Sequence, residues 1–110
     1  MTDLYILDSN NEPIPMPEED LIDWGHWLDT AEASGRRIVG ESNIGLFRIR
    51  TVFGGCDNNW DGGTPVLFET RVTEDGERRD LYLRRYKSWA LAEQGHKDVC
   101  SRIQSELGPS

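Results

Sequence analysis

Phe47-Arg48-Ile49-Arg50-Thr51-Val52-Phe53 is the stretch whose reading decides the fold, because Phe47, Ile49, Thr51 and Phe53 alternate with Arg48, Arg50 and Val52. Successive side chains of a strand point to opposite faces, so the alternation predicts an antiparallel strand with one face covered and one wet. The strand reads from Leu46 through Phe53. Upstream, Arg37-Ile38-Val39 reads as a partner strand, with a turn near Ser42-Asn43. Downstream, residues 66–72 place Val66, Phe68, Thr70 and Val72 together. Asp75-Gly76 then precedes Leu81-Tyr82-Leu83, a hairpin signal because both central turn positions favour positive φ. At the start of the chain, Leu4-Tyr5-Ile6-Leu7 is a short apolar run that reads as a strand ending at Asp8-Ser9-Asn10-Asn11.

Two helices bracket this central sheet. Pro13-Ile14-Pro15-Met16-Pro17 cannot be helical inside and leads into a helix start, with Glu18, Glu19 and Asp20 in the first turn, where the helix dipole favours negative charge. At helical spacing Leu21, Trp24, Trp27, Leu28 and Ala31 fall on one side, and Glu19, Asp23, His26 and Asp29 on the other. Ser34-Gly35 ends the helix. The last helix takes Ser88 as its N-cap and aligns Trp89, Ala92, His96, Val99, Cys100, Ile103 and Leu107 on one face before Gly108-Pro109 stops it. The expected architecture is α+β: an antiparallel sheet of about four or five strands with two helices packed on one face, in a single domain over residues 1–110.

Charge is distributed unevenly. Residues 1–35 hold nine acids and no Lys or Arg, whereas residues 36–110 hold eleven acids against twelve bases, so the net charge of −8 divides as −9 and +1. An acidic chain is a poor direct ligand for phosphates, which argues against nucleic acid as a partner. No run approaches the roughly 18 apolar residues of a membrane span, and Met1-Thr2-Asp3 does not open a secretion signal. Cys56 and Cys100, without such a signal, are expected as thiols in the cytoplasm.

Between two strands lies Gly54-Gly55-Cys56-Asp57-Asn58-Asn59-Trp60-Asp61-Gly62-Gly63. Hairpin connections usually run about two to five residues, and longer ones tend to carry function. Asp57, Asn59 and Asp61 followed by Gly62 match the first half of a calcium-loop pattern, but position twelve is Phe68 and Glu69 misses by one residue. Three readings of the loop stay open: a weak metal site, a turn held by Asn and Asp side chains, and a recognition loop presenting Trp60. No cofactor is called for.

His96 and Cys100, four apart on one helical face, are the minimum for a thiol nucleophile with a base. Their place in an apolar stripe points instead to a packed histidine beside a small thiol. His26, on the polar face, reads as solvated. Glu69 shares a strand face with Arg71, and Arg84 or Arg85 on the next strand is expected to pair with it. Trp89 reads as a core anchor. No residue is assigned a catalytic role.

The segments Thr51-Val52-Phe53, the glycine-rich loop to Trp60, Leu67-Phe68-Glu69-Thr70, Arg85-Tyr86, Trp89 and Gly95-His96 resemble a group of small uncharacterised bacterial and bacteriophage proteins. Their shared pattern runs from TVF through a glycine-rich loop and LFET to RY, W, EA and GH; Ala92-Glu93 departs from that order here. The resemblance implies a phage- or prophage-related origin and supplies no activity. The leading functional expectation is a non-enzymatic protein that binds a basic surface on a host or viral protein through Glu19, Asp23 and Asp29, with Trp60 as a further contact; one version is an inhibitor that mimics nucleic acid. One alternative is a small enzyme or metal-binding module using residues 54–63 with His96 and Cys100. Another is a structural component. A homodimer through an uncovered sheet face or edge is also open, because Tyr82 and Tyr86 alternate opposite Leu81 and Leu83.

Overall fold

The computed structural model describes residues 4–56, 65–74 and 82–107, in the order β1 (Leu4–Leu7), β2 (Pro13–Met16), α1 (Leu21–Ser34), β3 (Ile38–Ile44), β4 (Phe47–Phe53), β5 (Phe68–Glu74), β6 (Tyr82–Tyr86) and α2 (Trp89–Leu107). The fold is α+β. Strands β3-β4-β5-β6 form an antiparallel sheet in sequence order, and β1-β2 form a separate two-stranded hairpin.

The alternation in β4 sorts as its sequence requires. Ile49, Thr51 and Phe53 are buried beneath α2, while Arg48 is exposed on the other face. Helix α2 lies across all four strands. Helix α1 packs against β1, where Trp24 Nε1 donates to the Tyr5 carbonyl at 3.0 Å. It enters the same core through Trp27, whose ring meets Phe53 edge-on at 5.9 Å. Phe53 continues to Phe68 at 5.3 Å, and Phe68 meets Trp89 edge-on at 6.2 Å, which makes Trp89 the core anchor expected. Each fully buried Phe contributes roughly 1.5–3 kcal/mol by leaving water.

Several boundaries differ from expectation. The proline segment is a strand, β2, whose Pro13 and Pro15 pair with Leu7 and Tyr5. An edge strand tolerates the missing N–H groups. The β3–β4 turn lies at Gly45-Leu46, not near Ser42-Asn43: Ile44 pairs with Phe47, and Gly45 takes φ 58° as the first central residue of a two-residue turn. Strand β5 begins at Phe68, two residues later than the Val66 expected, and runs to Glu74. The turn signal at Asp75-Gly76 lies outside the described residues. Glu18–Asp20 form a short 3₁₀ helix ahead of α1, and Leu21 is exposed instead of facing inward.

Both helix-end signals hold. Gly35 takes the left-handed conformation (φ 74°) that closes α1, and Arg36 N–H bonds the Ala31 carbonyl at 2.8 Å. Ser88 Oγ accepts from Leu91 N–H at 3.1 Å, capping α2. A register shift between Ile38 and Gly40 leaves Val39 as an extra residue in β3, and Val39 packs on the core.

Candidate functional site

The outer face of α1 is assembled by the hairpin beneath it. Trp24, Trp27, Leu28 and Ala31 turn toward β1 and the core, so Asp23, His26 and Asp29 are left exposed. Gly55 makes the close approach possible: its φ is 83°, and a Cβ there would lie 3.0 Å from Leu28 Cδ2. Ile22 is 74% exposed and lies one residue from Asp23 and two turns from Asp29. Glu19, in the preceding 3₁₀ helix, is exposed as well.

Ion pairing separates this face from the remaining acids. Glu32, near the end of α1, meets Arg37 at 3.4 Å and Arg50 at 3.2 Å. Asp8 accepts from the N–H groups of Asn10 and Glu12 and so closes the hairpin turn. Among the described residues no cation pairs with Glu19, Asp23 or Asp29. Trp60 and the loop residues Asp57, Asn59 and Asp61 lie outside the described residues, and the metal reading of that loop rests on them. Elsewhere, no group of three or more His, Cys, Asp or Glu among the described residues is placed to hold a metal ion.

His96 joins a largely buried polar chain between Ser42 and Thr51. Its Nε2 faces Ser42 Oγ at 3.0 Å, and its Nδ1 faces Thr51 Oγ1 at 2.7 Å. Thr51 continues to Thr70 at 2.5 Å, and Thr70 to the Tyr86 hydroxyl at 3.0 Å. Each strand of the four-stranded sheet therefore supplies one hydroxyl, and α2 supplies the imidazole. Burial lowers the His96 pKa from its ordinary value, which favours the neutral ring that such a chain needs.

That geometry decides against a thiol–imidazole pair. Both ring nitrogens are occupied by hydroxyls, and Cys100 sits instead with Ile49, Val72 and Val99 in a neighbouring apolar cluster. The Ser42–His96 contact has the spacing of a nucleophile and its base, but the group holding Nδ1 is a threonine hydroxyl. Among the described residues no carboxylate bonds that nitrogen, and a carboxylate is the group that stabilises the imidazolium in a serine–histidine–aspartate triad.

On the uncovered face, Glu69 pairs across strands with Arg85 at 3.9 Å, as expected, and more closely with Arg71 of its own strand at 2.9 Å. Arg84 points the other way, over the Tyr86 ring. Tyr86 is buried beneath α2 and is not part of the uncovered face, whereas Leu83 is 42% exposed and lies opposite Arg71. Cys56 and Cys100 are both free thiols. No helix among the described residues is long and apolar enough to cross a membrane.

The hydroxyl chain through Ser42, Thr51, Thr70 and Tyr86 has no counterpart in the sequence reading. Its one signal there is that Thr51 and Thr70 occupy inward positions in strands otherwise lined by apolar residues. Comparison of the chain with protein-family models, with curated proteins and with solved structures finds no match.

Proposed function

We propose that this is a non-enzymatic accessory protein, phage- or prophage-related, that captures a basic surface on a host or viral protein through the outer face of α1. The observation that carries this reading is that Glu19, Asp23 and Asp29 are exposed and have no internal cation among the described residues. Carboxylates already paired within the molecule contribute little to a partner. These keep their full field, and single-sign patches raise association rates by roughly 10- to 1,000-fold at low salt. Ile22, exposed beside Asp23, adds an apolar contact of the kind that holds a complex once charge has steered it.

The test is capture of partners from a host lysate by the intact chain and by the triple variant Glu19→Lys, Asp23→Lys, Asp29→Lys. The reading expects a retained protein whose capture weakens as salt rises and is lost with the variant. Competition by duplex DNA would favour the version in which the acidic helix mimics nucleic acid. Capture that survives the charge reversal removes the reading.

A further inference from the structure

At the end of the sheet where β4 finishes and β5 begins, a cleft of about 280 Å³ opens beside the uncovered face. Its polar lining is Arg37, Cys56, Glu69, Arg71 and Arg85. Three guanidinium groups thus surround one carboxylate. Glu69 is only 17% exposed and is taken up by Arg71 at 2.9 Å, while Arg85 stands off at 3.9 Å. Glu32, which lies 3.4 Å from Arg37, is shared with Arg50. Adding the neighbouring pairs of Glu41 with Arg48 and Arg50, five arginines meet three glutamates, in a chain whose overall charge is −8.

The cleft is also prearranged. Arg37 Nε donates to the Phe53 carbonyl at 2.9 Å, which fixes its guanidinium at the wall. Burial pushes the Cys56 thiol above its ordinary pKa, and Arg37 only partly offsets this. The sulfur therefore stays neutral near pH 7 and adds no further anion beside Arg37, whose guanidinium already meets Glu32. Guanidinium groups offer paired N–H donors that match the oxygens of carboxylates and phosphates.

We infer that this cleft binds a small oxyanion, a carboxylate or phosphate group held between Arg37 and Arg85 beside the Glu69–Arg71 pair. A volume near the lower limit of roughly 300–1,000 Å³ for ligand pockets suits a small acid or phosphate ester. The inference does not depend on the reading of α1, because Glu19, Asp23 and Asp29 are not among the residues that line the cleft.

The two thiols provide a test with an internal control. Cys56 lines the cleft and Cys100 lies on α2 outside it. Iodoacetate carries the charge of a ligand and iodoacetamide does not, and both react with the same thiolate. Peptide mass spectrometry should show Cys56 preferring iodoacetate over iodoacetamide by about fivefold or more relative to Cys100, as expected of a local positive field. Inorganic phosphate or succinate, added at constant ionic strength, should suppress the preference, and whichever does so at lower concentration identifies the group bound. Arg85→Gln should abolish it. Arg85 is half-exposed and its ion pair with Glu69 is long, so this variant should fold, as circular dichroism would verify. Calorimetry with the same two anions provides a second reading. Equal preference at the two cysteines, or no saturable binding of either anion up to about 10 mM, where affinity is below about 3 kcal/mol, overturns the inference.

Discussion

The hydroxyls of Thr51 and Thr70 lie 2.5 Å apart, directly opposite each other in β4 and β5, and both side chains are fully buried. A hydroxyl has one proton to give, so each member of the chain from Ser42 to Tyr86 depends on the direction chosen by its neighbour. The neutral imidazole of His96 sets that direction, since one of its nitrogens donates and the other accepts. In a polar chain of this kind a break at one position leaves partners on both sides unsatisfied.

Thr51→Val keeps the shape of the side chain and removes its hydroxyl, which strands His96 Nδ1 and one valence of Thr70. The expected loss is about 2 kcal/mol, within the range for an orphaned buried polar group. Thr70→Val should cost a similar amount. The double variant should cost less than the sum by about 0.5 kcal/mol or more, because the second change removes a bond already lost. Urea unfolding of the three variants measures this directly.

Two helical glycines should respond to alanine with opposite signs. Helix preference alone favours Ala over Gly by roughly 1 kcal/mol. At Gly25 nothing lies within 4 Å of a new Cβ, so Gly25→Ala should stabilise by about 0.5–1 kcal/mol. At Gly95 the new Cβ would fall 2.1 Å from Tyr86 Cε1, in a ring packed beneath α2. Gly95→Ala should destabilise by about 1–3 kcal/mol, the usual cost of overpacking, despite the same helical gain. Thermal unfolding of both variants tests the contrast.

Stability should depend on His96 below neutral pH. Burial lowers its folded pKa beneath the ordinary value of 6.5, so the unfolded chain binds the proton more readily. The contribution is present in full above pH 6.5 and is lost as pH falls from there through the lowered folded pKa. Unfolding free energy measured from pH 7.5 to 5 should therefore decline with acid in the native chain. His96→Gln should be less stable throughout and flatter over that interval.

Asn11 holds the hairpin turn in two ways. It takes φ 63°, and its Oδ1 accepts from Arg36 Nη1 at 2.9 Å; Arg36 also donates to the Asp8 carbonyl. Asn11→Gly loses only the hydrogen bond, whereas Asn11→Ala also places a Cβ in the left-handed region. Alanine should be the worse substitution by about 1 kcal/mol, which a comparison of the two midpoints in urea would read.

What proved legible from residue order was local. The β4 alternation, the Ser88 cap, the Gly35 terminus and the cross-strand pairing of Glu69 with Arg85 each depend on neighbours within a few positions or on strand spacing, and each stands as read. The chain turns at Gly45-Leu46, although Ser42-Asn43 carries a comparable turn signal. Register decided between them: Ser42 pairs with Ile49 and turns inward to His96. Its prolines exclude the segment 13–17 from a helix interior, but its pairing with β1 is a property of the partner strand.

The sequence by itself determined that this is an α+β chain with its negative charge gathered in the first third, because periodicity and charge order are written along the backbone. Tertiary structure alone decided that Glu19, Asp23 and Asp29 remain unpaired among the described residues while Glu32 does not, that five residues from four strands and a helix join in one polar chain, and that three arginines meet at a cleft. These depend on which surfaces come within hydrogen-bonding distance after folding, and residues 42, 51, 70, 86 and 96 carry no local signal of their proximity.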